Sequence, residues 1–127
     1  MIGALKSANI QLFDPSPIRE FIFRDDHVKG YLKCLETDKC IVQTINLCTG
    51  EGISIGDAAQ KVATIGEEML GKKIEVNFSN QPDRTRDIPL LVGDNAKAKA
   101  LLSWTPDYNL DAGLRKAMKE WREVLGL

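Results

Sequence analysis

Histidine is almost absent from this chain, with His27 alone among 127 residues. Cysteine is scarce too: Cys34, Cys40 and Cys48 are the full set, and no two stand at the spacing of a zinc knuckle. A closed structural metal site draws paired ligands from these two residue types, so a zinc module is excluded. An odd cysteine count also fails to make a disulfide framework and leaves three reduced structural thiols, on segments that read as helix, loop and strand. Excess charge is missing as well. Seventeen basic residues meet 18 acidic ones, for a formal net charge of −1. Such a chain has no general attraction to nucleic acid or an anionic membrane, and any anion site has to be built locally. No apolar run approaches the ~20 residues that span a bilayer, and the N-terminus lacks a basic-then-apolar signal pattern. The expectation is a cytoplasmic protein without nucleic-acid or membrane partners.

What is present is ordinary for a globular protein: 43% apolar and 28% charged residues. A chain of this length fits one domain, residues 1–127, burying roughly two-thirds of its unfolded surface. Glycine and proline punctuate it into elements. Residues 1–7 read as helix and begin abruptly, as though the chain had been cut there. Residues 10–13 are a short apolar run ended by the rigid turn Asp14-Pro15-Ser16-Pro17. Residues 20–23 have a β-branched and aromatic bias and predict a strand. Asp25 and Asp26 offer a cap and a favourable first turn to a helix carrying Val28, Tyr31, Leu32 and Leu35 at helical spacing. Residues 42–48 alternate and predict another strand, followed by the turn Thr49-Gly50-Glu51-Gly52.

Ser54 then caps a helix with Ile55, Ala58, Ala59, Val62 and Met69 on one face, and Gly71 closes it. Residues 74–78 read as a strand and residues 90–92 as a short extended piece. Asp94 or Asn95 caps a helix with Ala98, Leu101 and Leu102. Pro106 interrupts, and Asp111 caps a last helix striped by Leu114, Ala117, Met118, Trp121 and Leu125. Few strands interleaved with about five helices make a compact α/β unit, with the apolar helix faces as its core.

Two features invite a chemical reading. Gly50-x-Gly52-x-x-x-Gly56 lies between an expected strand and a helix, where a dinucleotide loop would lie. Its spacing has one residue too many, Glu51 sets a carboxylate where phosphates would sit, and the following strand ends in Ser79-Asn80 instead of an acidic residue. It reads as a tight turn before a capped helix. Direct binding of NAD to this chain would reverse that reading. The second feature is arginine. Arg19 follows the double-proline turn, while Arg84 and Arg86 alternate with Asp83 and Asp87 in the polar loop 80–89. Guanidinium forks from two loops suit the oxygens of a diphosphate, and a carboxylate such as Asp87 suits ribose hydroxyls. Solvated surface ion pairs, each contributing roughly 0–1 kcal/mol, would look the same in sequence.

A family resemblance bears on that choice. Arg19-Glu20-Phe21-Ile22-Phe23-Arg24-Asp25-Asp26, the Asn46-Leu47-Cys48-Thr49-Gly50 turn, Arg84-x-x-Asp87-Ile88-Pro89, Gly93-Asp94-Asn95-Ala96-Lys97-Ala98 and Leu101-Leu102-Ser103-Trp104-Thr105-Pro106 occur in order. They resemble the C-terminal half of extended short-chain dehydrogenase/reductases, the NAD(P)-dependent sugar-nucleotide epimerases and dehydratases. The wording is most similar to GDP-mannose dehydratases and GDP-deoxyhexose reductases. Glu20 stands where the family has Asp, and Ser103 where it has Gly.

The resemblance implies an α/β substrate-binding domain with the Rossmann half absent. It implies that Arg19 and Arg84 contact a nucleotide diphosphate from opposite walls, with Arg86 an alternative to Arg84. Asp87 would bind the ribose, and Gln11, Leu12 and Phe13 would line the base. The partner would be a nucleoside-diphosphate sugar, a GDP-sugar favoured. NAD(P) would serve the full-length enzyme and not this chain, because no Gly-x-x-Gly-x-x-Gly opens it and neither Tyr31 nor Tyr108 is followed by Lys four residues on. Subunit pairing into a homodimer is implied chiefly through the absent half. The expectation is a substrate-binding fragment that performs no catalysis alone, with a stand-alone protein-interaction domain as the alternative.

Overall fold

The computed structural model describes residues 1–79 and 88–127. Among them the order is α1 (Ile2–Ser7), β1 (Asn9–Leu12), β2 (Ile18–Glu20), α2 (Arg24–Leu35), β3 (Gly52–Ser54), α3 (Ile55–Leu70), β4 (Glu75–Phe78), β5 (Leu90–Leu91), α4 (Ala96–Leu102) and α5 (Leu110–Leu125), with a 3-10 turn at Asp38–Cys40. The strands form two small sheets. In one, β1 lies parallel to β4, with Ile10 opposite Val76. In the other, β2 is central, antiparallel to β3 and parallel to β5. This is the small α/β unit with five helices and few strands that the sequence predicts.

Helix α3 organises the core. The Ser54 hydroxyl accepts from Asp57 N at 3.0 Å and donates to the Asp57 carboxylate at 2.6 Å. Two further N–H groups of the first turn donate to the proline turn: Ile55 N to Pro17 O and Gly56 N to Pro15 O, both at 3.0 Å. The free donors at a helix start are thereby satisfied by the loop that precedes β2. Gly71 ends the helix in the left-handed conformation, φ 65°. Helix α3 buries Ala63 with Ala4 and Ile74 on one side and Ile65 with Leu5 and Met118 on another. A separate apolar cluster joins Ala98, Leu102 and Trp104 beside Ile22, Ile45 and Leu47.

Four expectations are corrected. The strand near residue 20 is Ile18–Glu20, not residues 20–23, because Phe23 already caps α2 and its carbonyl accepts from Asp26 N and His27 N. Asp25 and Asp26 therefore lie in the first turn of α2 and not at its cap. Residues 42–48 form no strand; Ile45 and Leu47 turn into the Trp104 cluster instead of entering a ladder. Asn109, not Asp111, caps α5, accepting from Ala112 N at 2.9 Å. The helix stripes are also not all core. On α2, Val28, Tyr31, Leu32 and Leu35 are exposed, the last by 84%, because nothing in the described chain covers that side of the helix. Trp121 on α5 is 38% exposed.

Candidate functional site

Arg19 occupies the middle of the central strand β2, opposite Ile53 on one side and Leu91 on the other. It is half-buried, and its guanidinium donates to the Ile18 carbonyl at 2.8 Å. None of the ion pairs among the described residues involves it. It lines an open groove of about 470 Å³ with Ile22, Asn46, Cys48, Leu91 and Gly93. A strand-borne guanidinium with a groove in front of it and no carboxylate partner among the described residues is suited to an anionic ligand.

The groove wall is fastened by Glu20. Its carboxylate accepts from Thr49 N, from Thr49 Oγ1 at 2.8 Å, from Gly50 N at 2.9 Å and from Gly93 N at 2.7 Å. Burial pushes this carboxyl up, but the hydrogen bonds from Gly93, Gly50 and Thr49 outweigh it and hold the group below its ordinary range. Asn95 adds a second tie, donating to Cys48 O at 3.1 Å and Thr49 O at 2.8 Å. In the sequence Glu20 stands out only as a replacement for the family's Asp. Its position beside Arg19 was the available signal.

The expected base-lining residues sit on the other sheet. Gln11 and Leu12 end β1, and Phe13 follows them, about half exposed. None of the three lines the Arg19 groove. Arg84, Arg86 and Asp87 lie outside the described residues. The described positions on either side of them are anchored: Ser79 N donates to Leu12 O at 2.9 Å, and Ile18 N donates to Pro89 O at 2.8 Å.

The glycines of the Gly50–Gly56 segment face protein, not open space. A Cβ on Gly52 would meet Val92 and Ile18 side chains at 2.6 and 2.7 Å, and one on Gly56 would meet Pro15 at 2.9 Å. Gly50 alone has a positive φ, 81°. This segment does not fit a dinucleotide pyrophosphate.

Residues 1–117 match the family described as GDP-mannose 4,6 dehydratase. The chain belongs to that family. Among curated relatives, a UDP-glucuronate 4-epimerase of Thermodesulfobacterium geofontis is 29% identical over 93% of this chain and 35% of its own length. Among solved structures, UDP-glucose 4-epimerase of Thermotoga maritima with UDP-glucose superposes with a TM-score of 0.77 at 24% identity, over 96% of this chain and 38% of that one. UDP-glucuronic acid 4-epimerase of Bacillus cereus, in complex with UDP-glucuronic acid and NAD, gives 0.69 at 29% identity, over 92% and 35%. The chain thus spans about a third of the length of the curated relatives it matches. Over nearly its whole length the chain has the fold of the corresponding part of these epimerases, and its family is that of the sugar-nucleotide epimerases and dehydratases.

A second polar cluster of this dehydratase-family chain was not anticipated from sequence. Lys116 Nζ donates to Asp25 Oδ2 at 2.8 Å and to the Tyr108 hydroxyl at 3.1 Å, and lies about 5 Å from the ring centres of Phe23 and Tyr108. The hydrogen bonds to Asp25 and Tyr108 push the lysine well above its usual range. Beside this cluster Asp26 is fully buried, with Oδ2 accepting from Tyr108 N at 3.0 Å. These groups fasten α2 to the turn before α5. Lys116 and Asp25 are paired with each other, which suits a structural role. No helix among the described residues is long and apolar enough to cross a membrane.

Proposed function

We propose that this chain binds a nucleoside-diphosphate sugar and serves as the substrate-binding part of an NAD(P)-dependent sugar-nucleotide epimerase or dehydratase. The observation that carries the reading is Arg19, held in a central strand before an open groove and unpaired with any carboxylate among the described residues. The polar segment bearing Arg84, Arg86 and Asp87 leads into β5, whose Leu91 is the register partner of Arg19. In this reading Arg19 and either Arg84 or Arg86 grip the diphosphate, Asp87 accepts from the ribose, and Gln11, Leu12 and Phe13 serve the base. The GDP-mannose dehydratase family match and the Gly93-Asp94-Asn95 wording favour a GDP-sugar.

NAD(P), when bound, supplies acceptance and return of a hydride, and here it belongs to a part outside this chain. Support comes from the Bacillus cereus relative, whose structure carries NAD and is nearly three times as long as the match. The exposed apolar side of α2 is where that part would dock. The decisive experiment titrates GDP-mannose, UDP-glucuronate and phosphate separately into the protein, following amide shifts by NMR. Binding at millimolar ligand is expected, with GDP-mannose ahead and shifts near residues 19 and 91. Arg19→Ala should weaken it roughly 10- to 100-fold, since a hydrogen bond to a charged group contributes about 1.5–3 kcal/mol. Equal affinity in the Arg19→Ala protein, or no shifts at all, overturns the assignment.

A further inference from the structure

The Glu20 carboxylate joins two of the segments that line the Arg19 groove. Glu20 ends β2 directly after Arg19 and itself lines the groove, with Cys48 and Gly93 beside it. Its Oε1 accepts from two successive backbone N–H groups, Thr49 and Gly50, and from the Thr49 hydroxyl. Gly50 has a φ of 81°, and two N–H groups aimed at one oxygen in such a turn make an anion nest. Oε2 accepts from Gly93 N at 2.7 Å. Gly93 leaves no room for a side chain: a Cβ there would lie 2.7 Å from Cys48 Sγ and 3.3 Å from Glu20 Oε2. Donors from two loops thus surround the carboxylate as they would a bound anion. Other ties keep these loops together without it. Asn95 donates to Cys48 O and Thr49 O, and Asn46 donates to Asp94 O at 3.3 Å.

We propose that Glu20 is a positioning residue: its carboxylate fills an anion receptor made by Thr49, Gly50 and Gly93, and only the filled receptor shapes the groove for an anionic ligand. This rests on the reading of the groove as the seat of the sugar nucleotide's diphosphate. Glu20 acts through the residues it holds, because Gly93 and Cys48, the neighbour of Thr49, both line the groove with Arg19. Glutamine has nearly the same shape but a single acceptor oxygen. Its NH2 group must face either the Thr49–Gly50 donors or Gly93 N, so it cannot serve both loops. Alanine empties the receptor. Its N–H groups are then open to a small carboxylate supplied in solution, since Asn46 and Asn95 still hold the loops near one another.

The test compares the unaltered chain, Glu20→Gln and Glu20→Ala below their unfolding midpoints, in chloride or in formate of equal ionic strength. GDP-mannose affinity and amide shifts are read together by NMR. Both variants should bind roughly 10-fold more weakly or worse, the loss expected when a hydrogen bond to a charged group is misplaced. Formate, a carboxylate without a stem, should restore much of the lost affinity to Glu20→Ala and none to Glu20→Gln, whose side chain still fills the receptor. Without any sugar nucleotide, formate should also return the Glu20→Ala amides of Thr49, Gly50 and Gly93, and of the groove residues Asn46 and Leu91, toward their unaltered positions. The unaltered chain in the same formate measures competition at Arg19. Asp26→Ala, destabilised away from the groove, should bind GDP-mannose as the unaltered chain does. Full affinity in Glu20→Gln overturns the proposal, and that variant carries the test if Glu20→Ala does not fold. Formate that leaves the Glu20→Ala amides unmoved overturns it too. An unaltered chain that takes up no GDP-mannose sinks the proposed function alone, and the formate shifts then decide the receptor by their return or their absence.

Discussion

Replacing Glu20 by Ala removes one carboxylate and releases two loops. The side chain holds Thr49 and Gly50 through Oε1 and Gly93 through Oε2. The bond to Gly50 N is exposed, and water replaces it at little cost. Those to Thr49 N and Gly93 N are part-buried, and each donor left without an acceptor costs about 1–3 kcal/mol. The expected loss is about 2–5 kcal/mol, a large share of the ~5–15 kcal/mol that stabilises a typical domain. At this chain length that corresponds to a drop in the unfolding midpoint of roughly 8–20 °C. Trp104, 3% exposed in the neighbouring cluster, reports unfolding by fluorescence. Acid supplies a second arm. The folded chain holds the Glu20 carboxyl below its ordinary value of 4.5. Its contribution is therefore complete above that value and is lost as pH falls through the lower folded one. Glu20→Gln cannot titrate, so its deficit against the unaltered chain should shrink as pH falls below 4.5. Other carboxylates, such as Asp14 and Asp25, are lowered as well, but they are common to both proteins and cancel. A Glu20→Ala midpoint within a degree or two of the parent would refute the reasoning, as would a Glu20→Gln deficit that ignores pH.

Ser103 ends α4 in the left-handed region, φ 48°, ψ 37°, which an L side chain tolerates poorly. Ser103→Gly should stabilise the protein by about 0.5–1 kcal/mol and Ser103→Val should do the reverse, as urea midpoints will show. Asp26 is a fully buried carboxyl whose Oδ1 has no hydrogen-bond partner among the described residues. Asp26→Asn keeps an acceptor for Tyr108 N and should lie within about 1 kcal/mol of the parent, whereas Asp26→Ala strands that donor and should cost about 2–3 kcal/mol. Equal urea midpoints for the two Asp26 variants would show that the bond to Tyr108 N carries no weight.

Helices were the legible part of this sequence because their signals are local. Ser54 and Gly71 bound α3 where their chemistry says they should. The α5 cap was misplaced by two residues because Asn109 and Asp111 both have oxygens that can accept, and only the fold decides which faces Ala112 N. Strands were harder. Residues 42–48 alternate as a strand would, yet alternation says only that one side is buried, and here the buried side meets Trp104 and not a neighbouring ladder. The stripe of α2 reads as core on the same logic. Periodicity identifies an apolar face without saying what covers it, and within this chain Leu35 is left bare.

The strands flanking Arg19 are only two and three residues long, too short for ladder hydrogen bonds alone to hold a groove in register. The side chains that complete the work are polar. Glu20 joins the Thr49–Gly50 turn to Gly93, and Asn95 reaches back to the carbonyls of Cys48 and Thr49. Both come from positions where propensity and hydrophobic pattern are silent. The arginines of the proposed site stand out in the sequence, while the residues that frame the groove do not. A groove built this way depends on a handful of hydrogen bonds more than on buried area, so its shape should fail before the α1–α3–α5 core does. Hydrogen exchange should then show the amides of Thr49 and Gly93 opening at lower free energy than those of α3.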